Sequence, residues 1–325
     1  MTQKEKVKPD RKKYDMSANY HPGEIEVQER AGVRSMAERV SNSIHPTIPP
    51  AAREFLEEPM VVVGSVGADG RVWASLLAGE PGFVRALDER TVRINATPLP
   101  DDPLAEALQG AGTQVGLLAI DLATRRRLRL NGEAERRPDG RIHVRARQVY
   151  ANCPKYIQAR EPETGRAEPD SQDGHTLRSR GLTDEQRRLI SDADTFFIAS
   201  AHPEGGADAS HRGGNPGFVR FLGENVLEFP DYSGNTLFNT LGNVAINPSA
   251  GLLFLDFEGG GTLQLTGEAQ IVWDAARAAR FAGAERVVEF RYREAVETRG
   301  AVPLRWRFEG YSPFNPAKSA GRRVT

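Results

Sequence analysis

Short apolar runs separated by turn residues fill most of the chain. Thr195–Ala201 ends at a His-Pro-Glu-Gly-Gly turn, and Gly251–Phe257 and Thr262–Val272 flank a glycine-rich turn. Runs of this length between Gly, Pro and Asn clusters are typical of β-strands. Helical spacing of apolar residues is found over Thr236–Asn243, which predicts one short helix. The pattern therefore predicts a small, mainly β domain folded as an antiparallel barrel.

The first half of the chain shows the same succession of runs. Strands are predicted at Met60–Val66, Val72–Leu77, Phe83–Leu87, Thr91–Asn95, Gln114–Leu122 and Arg127–Ala134, with a helix near Asp102–Gln109. An amphipathic packing helix is predicted before them, roughly over Glu24–Val40, with an apolar face made of Ile25, Val27, Val33, Met36 and Val40. Both halves thus present short strands and one internal helix in the same order.

An internal repeat explains this likeness. The string PGFVR occurs at Pro81–Arg85 and at Pro216–Arg220, an offset of 135 residues. At that offset, Val61–Glu135 and Phe196–Gln270 share 21 identities in 75 ungapped pairs. Loops lengthen freely whereas packed elements do not, so two ungapped copies indicate one fold repeated in tandem.

Composition sets the domain limits and the class of protein. The expected division is a basic disordered tail at 1–20, a first domain at 21–158, a polar linker at 159–181, a second domain at 182–310 and a C-terminal tail at 311–325. The formal net charge of −1 argues against nucleic acid or an anionic membrane as partner. One cysteine, Cys153, excludes an internal disulfide. We therefore expect a soluble, cytoplasmic protein without a metal site.

The two copies differ at one group of polar residues. The second copy has Arg212 in a strand and Ser233, Asn235 and Thr236 before the predicted helix, where the first copy has Leu77 for the arginine and two prolines in the turn. A phosphate dianion is held by a guanidinium, by hydroxyl and amide donors and by a helix N-terminus. The second copy is therefore predicted to hold a phosphate, which the first copy has lost. Taken singly, each feature is better explained as a turn, a helix cap or a surface charge, whereas their combination in one copy only favours the phosphate site.

The stretch from DASHRGGNPGFVRF to GGGTLQLTGEAQIVW resembles the pyridoxamine 5′-phosphate oxidase-like family of FMN-binding split barrels. The shared order is a strand with a basic residue, a GFV strand, a Ser/Asn turn, a helix, Asn-Pro, an LLF strand and a strand with Gly-Glu. The whole chain looks like a tandem member. The resemblance implies two tandem antiparallel split β-barrels of six strands each, with peripheral helices, paired within one chain as a pseudo-dimer with FMN between them.

The resemblance also assigns candidate cofactor residues. Ser210, His211 and Arg212 would line the flavin, Pro230, Asp231 and Tyr232 would end the next flavin-facing strand, and Ser233, Asn235 and Thr236 would hold the phosphate. From the first copy, the alternation of β-strand side chains places Arg127 and Arg129 on one face. Arg127 is either a flavin contact or a charged guard on an exposed edge strand.

Three functions follow from these residues. The first is an FMN-dependent oxidoreductase that transfers hydride at flavin N5 and uses a small-molecule substrate or a reduced nicotinamide donor. The second is a non-catalytic flavin or haem carrier, and the third a cofactor-free interaction module. No set of basic residues for a second, substrate phosphate is present, so oxidation of a vitamin B6 phosphate is not implied. The sequence does not identify catalytic residues. Cys153, at a predicted helix start, is either redox-active or incidental. A homodimer, in addition to the intrachain pair of barrels, is left open.

Overall fold

The computed structural model describes residues 19–110, 112–163 and 175–317, and the fold is mainly β. The strands are β1 (Met60–Val66), β2 (Val72–Ala78), β3 (Val84–Ala86), β4 (Thr91–Ile94), β5 (Thr113–Asp121), β6 (Arg126–Arg136), β7 (Ile142–Asn152), β8 (Ala159–Pro162), β9 (Thr176–Ser179), β10 (Thr195–His202), β11 (Gly206–Gly213), β12 (Arg220–Phe221), β13 (Val226–Tyr232), β14 (Ser249–Leu255), β15 (Thr262–Val272), β16 (Ala284–Thr298) and β17 (Trp306–Gly310). The helices are α1 (Pro22–Arg30), α2 (Arg34–Val40), α3 (Pro50–Phe55), α4 (Pro103–Ala107), α5 (Asp184–Asp192), α6 (Asn239–Ile246) and α7 (Ala275–Ala278).

Each copy forms one large antiparallel sheet, and the two sheets have equivalent strand orders. The first runs β2-β1-β5-β6-β7-β4-β3 and the second β11-β10-β14-β15-β16-β13-β12, with β9 added beside β16. Each path therefore has seven strands where the resemblance implied six. Strands β3 and β12 pair with β4 and β13 at one end of each path. In the first copy, the strand beyond the six predicted from the sequence is β7.

A β-bulge accounts for the Gly-Glu-Ala string present in both copies. The register of β6 against β7 shifts at Gly132, and that of β15 against β16 shifts at Gly267. A Cβ atom at either glycine would lie 2.1 Å from the carbonyl oxygen of Arg145 or of Arg291. Only glycine fits this close backbone approach, so the shared string maintains the fold.

The two sheets pack against each other as a pseudo-dimer. A common apolar core includes Val62 and Leu118 of the first copy with Phe197 and Leu253 of the second. The backbones come very close there: a Cβ at Gly116 would lie 2.4 Å from the Cα of Asp208. The counterpart contact, one repeat further along the chain, is between Gly251 and Trp73, at 2.7 Å. The interface is therefore close to two-fold symmetric.

A buried ion pair crosses this interface. The Nε atom of Arg129 donates to Oδ1 of Asp208 at 3.0 Å, and the Tyr150 hydroxyl donates to the same oxygen at 3.1 Å. Burial lowers the pKa of Arg129, but Asp208, Tyr150 and Glu24 together raise it above its ordinary value. The guanidinium therefore stays charged inside the interface. Sequence reasoning placed Arg129 on the correct face but did not find its partner.

The N-terminal helix differs from the prediction. A left-handed residue, Gly32 with φ +71°, divides the predicted helix into α1 and α2. Two members of the predicted apolar face are exposed, Met36 at 53% and Val40 at 36%. Helix α1 packs on α6 of the second copy, where a Cβ at Gly23 would lie 2.3 Å from the carbonyl oxygen of Gly242. The helix placed in the first domain by sequence thus covers the second.

Parts of the predicted linker and tails lie within the described structure. Within 159–181, β8 pairs with β17 and β9 with β16, while residues 164–174 lie outside the described part. Residues 1–18 of the predicted N-terminal tail and 318–325 of the C-terminal one also lie outside it. Tyr20 is buried, and the Ser312 amide donates to Oε1 of Gln158 at 2.8 Å. No helix in the described ranges is long and apolar enough to cross a membrane.

Candidate functional site

A cleft between the two copies brings most of the candidate cofactor residues together. It is lined by β11, β13 and the start of α6 from the second copy, and by β6 and the segment after β7 from the first. Nine of the ten candidates line it: Arg127, Ser210, His211, Arg212, Pro230, Asp231, Tyr232, Asn235 and Thr236. The exception is Ser233, whose backbone carbonyl accepts a hydrogen bond from the Tyr156 hydroxyl at 3.1 Å.

The cleft is long and narrow. It contains about 760 Å³ of space between atoms, including its mouth, but only about 90 Å³ of it admits the centre of a water molecule. A planar group fits such a shape better than a bulky one. Entry of a ligand with a large ring would require the side chains on the cleft walls to move apart.

Several buried polar atoms around the cleft have no hydrogen-bond partner. They are Nε of Arg127, Nε of Arg212, Nε2 of His211, Oγ1 of Thr236 and one acceptor, Oδ1 of Asn239. An unpartnered buried donor costs on the order of 1–3 kcal/mol, and proteins rarely keep several at one place. The two guanidinium nitrogens can only donate. The residues present therefore fit a ligand that carries negative charge and several acceptor atoms.

Arg212 is held inside the cleft by a carboxylate. Its Nη1 atom lies 3.3 Å from Oδ1 of Asp231, and Nε of Arg286 lies 3.5 Å from the other oxygen. Burial lowers the pKa of Arg212, partly offset by Asp231, and burial raises the pKa of Asp231. Asp231 therefore positions Arg212 but also competes with any anion for it, a feature that sequence reasoning missed.

The turn between β13 and α6 differs from the prediction. The helix begins at Asn239, three residues after the predicted start, because Thr236 and Phe238 adopt left-handed conformations with φ of +64° and +60°. Oδ1 of Asn235 accepts the Leu237 amide at 3.1 Å, which leaves the side-chain NH₂ as a donor. The first turn of α6 still lines the cleft, so its amide groups and dipole favour an anion there.

Backbone strain is concentrated at this cleft. Among the described residues, four other than glycine have positive φ, and Tyr156, Thr236 and Phe238 all line the cleft. A left-handed conformation costs a β-branched or bulky residue on the order of 1–3 kcal/mol and persists where the surroundings impose it. Such clustering is typical of ligand-binding sites.

The first copy contributes one wall of the cleft. Strand β6 lies between β5 and β7, so the interpretation of Arg127 as a guard on an exposed edge strand is wrong. Nη1 of Arg127 lies 3.0 Å from Nδ1 of His211. Burial, together with Arg129 and Arg212, lowers the pKa of Arg127 to about 10, against an opposing effect of Cys153. Arg127 remains protonated at neutral pH and joins the copies at the cleft.

The segment after β7 supplies further lining residues that sequence reasoning missed. Tyr156 packs on Tyr232 with ring centroids 5.0 Å apart, and Lys155 also lines the cleft. Cys153, half-buried and in the lining, follows β7 in an irregular segment, so its predicted place at a helix start is wrong. Cys153, Lys155 and Tyr156 belong to the string Asn152-Cys-Pro-Lys-Tyr-Ile157, whose contacts with the second copy cannot be inferred from the sequence.

Comparison with known families agrees with this architecture. The sequence profile described as pyridoxamine 5′-phosphate oxidase matches residues 48–175 and again residues 182–303. The chain belongs to the pyridoxamine 5′-phosphate oxidase family. It carries two tandem copies of the family domain, which confirms the resemblance noted in the sequence.

Solved structures that match parts of this chain are distant in sequence. A Lactobacillus delbrueckii protein described as a pyridoxamine 5′-phosphate oxidase is 17% identical, covers 37% of this chain and 97% of its own, and has a TM-score of 0.31. The H111A form of HupZ from Group A Streptococcus is 14% identical over 35% of this chain and 98% of its own, with a TM-score of 0.30. An F420 reductase is 16% identical over 35% and 95%, with a TM-score of 0.27. No curated protein matches significantly.

The first pyridoxamine 5′-phosphate oxidase domain lacks the unpartnered donors of the second. Leu77, the counterpart of Arg212, is buried in the apolar core. Ser75, the counterpart of Ser210, donates to Oδ1 of Asp102 at 2.6 Å and accepts from Gln264 at 2.9 Å. Ser75 and Asp102 are therefore satisfied at this pseudo-equivalent place, and the unpartnered atom there is an acceptor, Oε1 of Gln264, not a cationic donor that would attract an anion.

Proposed function

We propose that this member of the pyridoxamine 5′-phosphate oxidase family binds FMN in the cleft and acts as an FMN-dependent oxidoreductase. The observation that carries the proposal is the group of buried, unpartnered polar atoms on Arg127, His211, Arg212 and Thr236 around one narrow cleft. FMN matches it because a doubly charged phosphate is joined to a flat ring with acceptor atoms along one edge.

The residues divide into two groups by their place in the cleft. Arg212, the Asn235 amide and the Thr236 hydroxyl, with the first turn of α6, would hold the phosphate. The remaining candidates would flank the ring: Ser210, His211, Pro230 and Tyr232 from the second copy and Arg127 from the first. Ser233 does not line the cleft and its carbonyl accepts the Tyr156 hydroxyl, so no contact with the phosphate is proposed for it. One FMN per chain is expected.

The chemistry would come from the cofactor. When bound, FMN supplies hydride transfer at its N5 atom, and the protein binds, orients and shields it. A reduced nicotinamide or another small organic molecule would be the hydride donor. This division of labour is consistent with a cleft that contains no pair of residues arranged as nucleophile and base.

Titration of the purified chain with FMN and with riboflavin tests the phosphate site. Wild-type protein should prefer FMN, because riboflavin lacks the phosphate. A hydrogen bond to a charged group contributes about 1.5–3 kcal/mol, so Arg212→Ala should weaken FMN binding about 10- to 100-fold and leave riboflavin binding nearly unchanged. Arg293→Ala, at an exposed arginine on β16, is the matched control. Equal FMN affinity of Arg212→Ala and wild type would refute the site.

Anaerobic mixing of the FMN complex with NADH or NADPH tests the activity. Loss of the oxidised flavin absorbance, at a rate that depends on nicotinamide concentration, is expected of an oxidoreductase. Tight binding without reduction by either nicotinamide or by a panel of organic donors would instead favour the carrier function.

A further inference from the structure

His211 has its two ring nitrogens in different situations. Nδ1 lies 3.0 Å from Nη1 of Arg127, which comes from the other copy. Nε2 is buried and has no hydrogen-bond partner. The ring itself lines the cleft and packs edge-on against Phe197, with centroids 5.9 Å apart. The arrangement fixes one nitrogen and leaves the other for a ligand.

The chemistry of the guanidinium decides where the imidazole proton is. An arginine side chain has only N–H donors and no acceptor, so Nδ1 must accept with its lone pair. A neutral imidazole carries a single proton, which is then on Nε2. The imidazolium form is excluded, because it would place a second N–H group against the guanidinium.

The charges around the ring keep it neutral. Burial lowers the pKa of His211 well below its ordinary value, and Arg127, Arg212 and Arg160 lower it further. All three neighbours that act on the ring are cations, and no carboxylate among them would favour the imidazolium. The neutral form with the proton on Nε2 is therefore the state present at neutral pH.

We propose that Arg127 is a positioning residue that fixes His211 as the Nε2–H tautomer, so that the cleft offers its ligand a donor and not a lone pair. The ligand atom at this place is then an acceptor, such as a carbonyl oxygen or an unprotonated ring nitrogen. Coordination of a haem iron by His211 is disfavoured, because a metal takes the lone pair of a ring nitrogen. The identity of the acceptor rests on the proposed FMN function, but the tautomer does not.

The pair has no counterpart at the repeat-related positions. At the repeat offset, the counterpart of His211 is Leu76 and that of Arg127 is Thr262. One copy supplies the imidazole and the other the guanidinium, so the donor exists only when the two copies are paired. This gives the intrachain pseudo-dimer a chemical role beyond burial of apolar surface.

Nitrogen NMR of the full-length chain, labelled with ¹⁵N-histidine and without added ligand, tests the tautomer. The spectrum of His211→Gln identifies the His211 signals among those of the six histidines. Wild-type protein should show a protonated Nε2 and an unprotonated Nδ1. Arg127→Ala should lose this single tautomer, Arg127→Lys should retain it because lysine also only donates, and Arg126→Ala on the opposite face of β6 should match wild type.

A protonated Nδ1 in wild type, or an unchanged His211 signal in Arg127→Ala, would overturn the proposal. Titration with ferric haem gives a second readout. Wild type and His211→Gln should give the same haem spectrum, and an imidazole-ligated spectrum lost in His211→Gln would contradict the assignment. Absence of FMN binding would refute the proposed function while leaving the NMR result intact, so the two failures are distinguishable.

Discussion

The buried ion pair between the copies allows the sharpest test of the pseudo-dimer. The side chains of Arg129 and Asp208 are 4% and 2% exposed. In Arg129→Met, the methionine fills similar space but leaves the carboxylate of Asp208 in the interface, with the neutral Tyr150 hydroxyl as its nearest donor. Asp208→Asn leaves the guanidinium of Arg129 without a counter-charge. Each single change therefore leaves one uncompensated buried charge.

The expected magnitude follows from the cost of such a charge. Removal of one partner of a buried ion pair costs about 3–5 kcal/mol, a large part of the 5–15 kcal/mol by which a typical domain is stable. The double variant Arg129→Met/Asp208→Asn carries no buried charge at this place. The double variant should therefore lose less free energy of unfolding than the two single variants together, by about 2 kcal/mol or more.

Urea unfolding at pH 7, followed by tryptophan fluorescence and circular dichroism, gives the free energies of unfolding. The exposed pair Arg293–Glu268, with side chains 65% and 46% exposed, is the matched control. Arg293→Met should change stability by less than about 0.5 kcal/mol. Single losses at Arg129 and Asp208 below about 1 kcal/mol, or losses that simply add in the double variant, would show that the reasoning is wrong.

Three further predictions concern other parts of the molecule. Burial raises the pKa of Glu24 to about 8, above its unfolded value of 4.5. Between these pH values the native state holds a proton that the unfolded state releases, so the free energy of unfolding falls by up to about 1.4 kcal/mol per pH unit as pH rises from about 4.5 to 8. The urea midpoint of Glu24→Gln should lack this dependence on pH. If the urea midpoints of wild type and Glu24→Gln changed with pH in parallel, the raised pKa of Glu24 would be contradicted. Thr236→Asn should stabilise the ligand-free protein by about 0.5–1 kcal/mol and so raise its melting temperature, because asparagine tolerates the left-handed region. An unchanged or lower melting temperature would count against backbone strain at this turn. Gly116→Ala should lower the free energy of unfolding in urea by at least about 1–3 kcal/mol, because the new Cβ would meet the Asp208 backbone. The control Gly223→Ala, whose Cβ would have nothing within 4 Å, should change it by less than about 0.5 kcal/mol. Equal effects of the two changes would refute the close approach.

Local pattern was sufficient for much of the fold. The bounds predicted for β1 and β15 match the structure, because each is a continuous apolar or alternating run ended by glycine turns. Strands β7 and β16 were missed, since both carry many charged residues among their apolar ones and do not stand out as apolar runs. The helix α6 was displaced by three residues, because left-handed Thr236 and Phe238 occupy positions whose apolar spacing looks helical.

The candidate site was only partly predictable. The difference between the copies at Arg212 indicated a phosphate site without any structure, since substitution of a cation and two turn donors changes the local chemistry itself. The partners of those residues could not be found in this way. Asp231 beside Arg212, and Arg127 beside His211, are contacts between strands that are distant along the chain or belong to different copies.

By itself, the sequence determined that the chain is a duplicated β domain, and it located the residues that distinguish one copy from the other. Only the tertiary structure decided how the copies face each other, that α1 covers the second copy, and which nitrogen of His211 is left for a ligand. The physical reason is that periodicity records which face of an element is buried, whereas the partner on that face depends on contacts between distant parts of the chain.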